Sequence, residues 1–222
     1  PRVDETALAA VKKSDPALTQ STCDVSDRTQ VSRLFDDALK ALGGLDCLVN
    51  NAGIAGPTGR VEEINPEDWD RCLAIDITGQ FNCVRLAVPH LKGSQNPSIM
   101  NLSSQAGKHG FPLRSAYAAA KWGVVGFTKS IAIELGPFGI RVNALLPGLV
   151  AGDRLRRVIE AKAQQGGVSF KEKEAELFRN VSVKEYVTPQ QLADMVVFTA
   201  SPRAKTISGQ AISVCGDTNM LG

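Results

Sequence analysis

The sequence predicts an α/β fold built on a parallel sheet wound on both faces by helices. Three observations predict it. Short apolar runs of strand length alternate along the chain with longer segments of helical periodicity. The runs at 45–49, 98–103 and 141–146 each end in a turn of small, polar or breaking residues: Asn50-Asn51-Ala52-Gly53, Ser103-Ser104 and Pro147-Gly148. And 222 residues, 43% of them hydrophobic, are enough for one core and suit a single domain spanning 1–222.

Taken in order, residues 4–13 read as a helix ending near Ser14-Asp15-Pro16. Residues 21–25 read as a short strand reaching Asp24 and Val25. Ser26 or Asp27 can cap the next helix, which carries Val31, Leu34, Phe35, Ala38, Leu39 and Leu42 at helical spacing and stops at Gly43-Gly44. A buried-type strand at 45–49 runs into a Gly- and Pro-rich loop over 54–65. Asn65-Pro66 opens a helix to about Leu91, with proline at its first position. A strand at 98–103 is followed by a long helix over 115–135, stopped at Gly136-Pro137. The strand at 141–146 ends at Pro147-Gly148. Residues 153–180 are polar and helix-rich, interrupted at Gly166-Gly167. Thr188-Pro189 starts a helix to about Ala200, and 211–214 is the last strand. No internal repeat or low-complexity segment is apparent.

Composition excludes several classes. A net charge of +2 without a Lys/Arg run argues against a nucleic-acid partner. No apolar run approaches the ~18 residues of a membrane span. Five cysteines, Cys23, Cys47, Cys72, Cys83 and Cys215, show no Cys-x-x-Cys spacing, so core thiols in a reducing cytoplasm are expected, with neither disulfides nor a metal site.

The chemistry-bearing stretch is Asn101-Leu-Ser-Ser-Gln-Ala-Gly followed by Tyr117-Ala-Ala-Ala-Lys121. On a helix, Tyr117 and Lys121 lie on one face, one turn apart. An ammonium beside a phenol favours the phenolate, so the pair suits proton exchange with a substrate oxygen. Ser104, at a strand end, can hydrogen-bond the same oxygen. Tyr-x-x-x-Lys alone is a frequent coincidence. Its weight comes from the serine spacing and from convergence, because an open parallel sheet binds ligands beyond its strands' carboxyl ends. A serine hydrolase using Ser104 and His109 lacks the Gly-x-Ser-x-Gly elbow.

With Asp24-Val25, Asn50-Asn51-Ala52-Gly53, Ser104…Tyr117…Lys121 and Pro147-Gly148, the chain resembles the short-chain dehydrogenase/reductases from about Ala7 to Val214. The resemblance implies a Rossmann-like domain and NAD(P)-dependent oxidation of a secondary alcohol or reduction of the ketone. It implies that Tyr117 is the acid/base and that Lys121 binds the nicotinamide ribose and tunes the tyrosine. Ser104 would orient the substrate oxygen. Asp24 and Val25 would meet the adenine; Asn50, Ala52 and Gly53 would line the adenosine side; Pro147 and Gly148 would let backbone approach the nicotinamide. A homotetramer or homodimer in the cytoplasm is expected by the same analogy. The alternative is a nucleotide-binding homologue without turnover.

Two departures from the family pattern stand out. Asp76, in Ile75-Asp76-Ile77-Thr78-Gly79, replaces an asparagine that helps hold a relay water, and it can pair directly with Lys121. No Gly-rich phosphate loop is present, so roughly 35–40 further residues before Pro1, a strand, a turn, a helix and a second strand, are expected. Arg2 near the end of that second strand would favour NADP, whereas much of the family prefers NAD. The segment 149–187 resembles the family's substrate lid; its Arg154, Arg156, Arg157, Lys171, Lys173 and Arg179 point to a polar or anionic substrate.

Overall fold

The computed structural model describes residues 11–13 and 15–221. The expected helix at 4–13 and Arg2 therefore lie largely outside the described residues. Four parallel strands form one sheet in the order β1 (Cys47–Asn50), β2 (Ser98–Leu102), β3 (Arg141–Pro147) and β4 (Ala211–Val214). Leu48 pairs with Ile99, Met100 with Asn143, and Leu145 with Ile212, so the strand ends fall together.

Helix α1 (Arg28–Leu42) is capped by Asp27, whose carboxylate accepts from the Thr29 and Gln30 amides. Gly43, at φ 73°, ends it in the left-handed region that glycine adopts without strain. Helix α2 (Pro66–Leu73) has Asn65 as its cap. It passes through a π-turn, Ala74–Thr78, into α3 (Gly79–Leu91). The expected single helix over 66–91 thus carries one widened turn, centred on Asp76. Helix α4 (Ser115–Leu135) continues past Gly136 into a short 3₁₀ turn, and the left-handed glycine is Gly139 at φ 73°.

Val31 and Phe35 of α1, Val84, Ala87 and Leu91 of α3, and Ile131 and Leu135 of α4 pack on Ile99, Ile140 and Val142. Each such side chain, fully buried, contributes roughly 1.5–3 kcal/mol. Helix α7 (Pro189–Ala200) lies against β2. A buried guanidinium fixes its carboxyl end: Arg141 Nη2 donates to Asn96 Oδ1 (3.0 Å) and Ala200 O (3.0 Å), and Nη1 to Thr199 O. The last carbonyls of α7 thereby gain a cationic partner.

Between β3 and α7 lie α5 (Asp153–Gly166) and α6 (Phe170–Arg179). Gly167, at φ 64°, separates them, and a Ser169/Glu172 capping box restarts the helix. Val150 and Val187 pair at the base of this segment, with the Ala151 amide on Val187 O (2.9 Å) and the Val187 amide on Leu149 O (2.9 Å).

The expected strand at 21–25 does not form. Its backbone is engaged by side chains rather than by a neighbouring strand: the Asp24 amide donates to Gln30 Oε1 (3.0 Å), and Val25 O accepts from Asn82 Nδ2 (3.0 Å). Val25, expected beside an adenine, packs against the start of α3. A Cβ on Gly79 would fall 2.6 Å from Val25 Cγ2, so only glycine admits that approach.

Candidate functional site

A cleft of about 320 Å³ opens at the carboxyl ends of β2 and β3. Ser104, Tyr117, Lys121, Gly53, Pro147 and Gly148 all line it, with Leu149 to Gly152, Arg154 and Leu155 completing the wall. Six of the expected site residues, drawn from four separated stretches, are thus brought to one cavity.

Ser104 leaves β2 and caps the short turn Gln105–Gly107, its Oγ accepting from the Ala106 amide (3.1 Å). That bond uses a lone pair and leaves the hydroxyl proton free to donate. The next contact was not legible in sequence. Ser103 Oγ donates to Lys121 O (2.8 Å), and a Cβ on Gly107 would lie 2.4 Å from Ser103 Oγ and 2.6 Å from Lys121 O. The strand-end turn and α4 touch backbone to backbone there, and that contact sets the height of Lys121 and Tyr117. Gly107→Ala is therefore expected to cost about 1–3 kcal/mol through overpacking. Urea denaturation checks this, and an unchanged midpoint would contradict the close approach.

Lys121 is 3% exposed. Its Nζ donates to Leu102 O (3.1 Å) and lies 3.5 Å from Asp76 Oδ2, an ionic contact longer than a direct hydrogen bond. Asp76 is fully buried, and its other oxygen accepts from the Ile54 amide (2.7 Å). Of the two arrangements open to Asp76, contact with a relay water or direct pairing with Lys121, the pairing with Lys121 is the one seen. The π-turn places it: Gln80 Nε2 spans Asp76 O (3.2 Å) and Leu102 O (3.1 Å), tying the widened turn to the end of β2. Such turns concentrate at functional sites. Gly53 makes room, since a Cβ there would sit 3.2 Å from Asp76 Oδ1 and 3.4 Å from Lys121 Nζ.

Tyr117 is half-buried, and its ring lies between two cations, Lys121 Nζ at 5.4 Å and Arg114 Cζ at 5.2 Å from the ring centre. Arg114, unremarked in sequence, is one of the most buried charges in the chain at 3% exposed. Burial, ahead of other causes, pulls its ionisation down. It is the residue that precedes α4, with non-helical backbone (φ -136°, ψ 36°), and its guanidinium reaches back over the Tyr117 ring.

Other expected residues sit differently. Asn50 is turned inward: Nδ2 donates to Asn101 Oδ1 (2.8 Å), and Asn101 Nδ2 donates to Thr128 Oγ1 (2.9 Å). Its side chain bolts β1 to β2 and α4, leaving Ala52 and Asn51 exposed at the strand end. Gly148 is required by Cys215, whose Cα would lie 2.6 Å from an added Cβ. Asp24 sits outside the cleft lining, its Oδ1 accepting from the Ser26 amide (2.9 Å) and hydroxyl (2.6 Å). Those bonds hold its carboxyl below the usual range. His109 Nε2 meets Thr218 O (3.1 Å). All five cysteines are free thiols, and burial pushes Cys72 and Cys83 up to about 11, an inert range.

Helix α5 carries a further buried cation. Lys162 packs 4.4 Å over the Phe111 ring, and burial lowers its pKa to about 8. Arg154, exposed at the start of α5, donates through Nη1 to Gly53 O (3.3 Å). Polar helices and the left-handed Gly167 predict faster hydrogen exchange over 153–179 than over 98–102 without ligand, and slowing when ligand binds. Equal protection of the two segments would count against it.

Comparison with known proteins places this geometry. A family model described as enoyl-(acyl carrier protein) reductase matches residues 2–217. The chain is 36% identical to D-beta-hydroxybutyrate dehydrogenase of Cupriavidus necator over 187 residues, 84% of this chain and 72% of that protein. It is 37% identical to trans-4-hydroxycyclohexanecarboxylate dehydrogenase of Sinomonas cyclohexanicum, covering 87% of this chain and 68% of that one. Among solved structures, levodione reductase superposes with a TM-score of 0.86 at 28% identity, covering 96% of this chain and 82% of that one. NAD⁺-bound xylitol dehydrogenase gives 0.85 at 26% identity, covering 96% and 84%.

Proposed function

The chain belongs to the short-chain dehydrogenase/reductase family, and from that premise we propose that it interconverts a secondary alcohol and a ketone with NAD or NADP, using Tyr117 as acid/base. The observation that carries this reading is the meeting of Ser104, Tyr117 and Lys121 in one cleft at the strand ends. The names of the hydroxybutyrate and hydroxycyclohexanecarboxylate dehydrogenases, both oxidisers of a ring or chain hydroxyl, support it.

The residues present fit a dinucleotide on its nicotinamide side. Lys121 has three donors; Leu102 O takes one, Asp76 holds the charge through an ionic contact at 3.5 Å, and donors remain for ribose hydroxyls at the cleft. Gly53 and Ala52 allow close backbone approach, and Asp24 Oδ2, engaged in no hydrogen bond among the described residues, is available to an adenine amino group at the other end. A bound nicotinamide supplies or takes up the hydride. Ser104 donates to the substrate oxygen and fixes the carbonyl. In reduction the Tyr117 hydroxyl gives its proton to that oxygen as the carbon gains hydride; in oxidation it removes it. The charge of Lys121 faces the negative charge that develops there. Loss of reduced-nicotinamide absorbance with a panel of ketones tests the activity, and no turnover with either cofactor would overturn it.

A second reading, nucleotide binding without turnover, is favoured by Asp76: its ion pair restrains the lysine that the chemistry uses.

The protein is further proposed to act in the cytoplasm as a homotetramer or homodimer, with 149–187 as its substrate lid. Phe81, Trp122 and Ile133 on α3 and α4 are exposed, Ile133 by 80%, which suits burial against a second copy. Sedimentation at micromolar concentration is expected to give a dimer or larger; a monomer would refute it.

A further inference from the structure

The cleft contains a cation that reduction of a plain ketone does not need. Arg114 is nine-tenths buried and lines the cleft, yet its Nε has no hydrogen-bond partner among the described residues, and no carboxylate pairs with it there. Only Nη2 is engaged, by Ala55 O. The described lining contains no Asp or Glu, and the nearest buried carboxylate, Asp76, is committed to Lys121 and Ile54. Arg154 lines the same cleft from α5, and an adjoining cavity is walled by Arg114, Arg154 and Arg157.

A buried charge without a counter-charge is costly. It is sustained at a binding site when the ligand brings the opposite charge. The guanidinium fork matches a carboxylate with two parallel N–H bonds. The guanidinium carbon is 5.2 Å from the centre of the Tyr117 ring, so an anion held by Arg114 and a carbonyl held by Tyr117 belong to one small molecule. We propose that the substrate is a short oxo or hydroxy acid whose carboxylate is gripped by Arg114, with Arg154 beside it, while Tyr117 and Ser104 hold its reacting oxygen. This rests on the oxidoreductase reading of the Ser104–Tyr117–Lys121 site and names its substrate class. A dinucleotide phosphate offers the same anionic chemistry, and the test separates the two sources.

Acetoacetate and levulinate are compared with their neutral amides as substrates, with both cofactors. Wild type is expected to prefer an acid over its amide by at least ~30-fold in kcat/KM, since truncating one side of a buried charge pair costs upward of about 2 kcal/mol. Arg114→Gln should collapse that ratio, and Arg114→Lys should keep part of it. A ratio near one in wild type, or an unchanged ratio in Arg114→Gln, overturns the proposal. So does an Arg114→Gln variant that binds the dinucleotide more weakly while keeping the preference, which assigns the cation to phosphate. Calorimetry of acetoacetate binding separates the two readings. Arg114-dependent binding without turnover of any substrate defeats the oxidoreductase reading alone, and turnover of neutral ketones without acid binding defeats this proposal alone.

Discussion

Replacing Tyr117 with phenylalanine is expected to leave a folded protein that has lost roughly 10²–10⁴-fold in kcat, the range that general acid–base catalysis contributes. The fold survives because the ring stays: it is half-buried, between Arg114 and Lys121, and no hydrogen bond from its hydroxyl supports the structure among the described residues. Loss of the oxygen removes the proton donor and nothing that holds α4 in place. Circular dichroism and urea denaturation should match wild type, and dinucleotide affinity should fall far less than turnover. A variant with wild-type rates would remove Tyr117 from the chemistry.

Lys121→Met is expected to act on stability and turnover together. The ammonium sits opposite a fully buried carboxylate at 3.5 Å, and its removal strands the Asp76 charge in the core. Breaking a buried pair from one side costs about 3–5 kcal/mol. Turnover should fall as well, because the donors that could reach a ribose hydroxyl are gone. The decisive comparison is Lys121→Met with Asp76→Asn. The amide oxygen still accepts from the Ile54 amide, the orphaned charge disappears, and most of the lost stability should return while activity stays lost. If the double variant is as unstable as the single one, the pair is not what sustains the region.

Much of this was readable beforehand. The runs at 45–49, 98–103, 141–146 and 211–214 became β1 to β4 within a residue or two, and for the central β2 and β3, buried on both faces, the signal is a local apolar run. Asp27, Asn65 and Thr188 cap where their side chains allow, since capping is decided within a few residues. The segment 21–25 has strand-forming residues but no strand beside it among the described residues, and pairing is not a local property. The same distinction divides the site. Ser104, Tyr117 and Lys121 were legible as a spacing. The inward turn of Asn50 towards Asn101, the fit of Gly148 to Cys215 and the seat of Ser103 on Lys121 O depend on what packs across the sheet. Arg114 was missed because an arginine in a loop before a helix is ordinarily solvated; its burial comes from Ala55, Phe111 and the lid together.

The widened turn at Ala74–Thr78 is, in genetic terms, one residue more than a regular helix would hold. Deleting any single residue there could restore an unbroken α-helix from Pro66 to Leu91, locally a gain in regularity. It would also swing everything on one side of the deletion by about 100° relative to the other. Asp76 lies within that turn and Gln80 just past it, yet both must meet the end of β2, Gln80 by bonding Leu102 O and Asp76 through Lys121. A tidier helix is therefore incompatible with this cleft. Among related sequences, the length of this stretch should be held more strictly than the identity of its residues, with gaps collecting in the exposed loop before Pro66 instead.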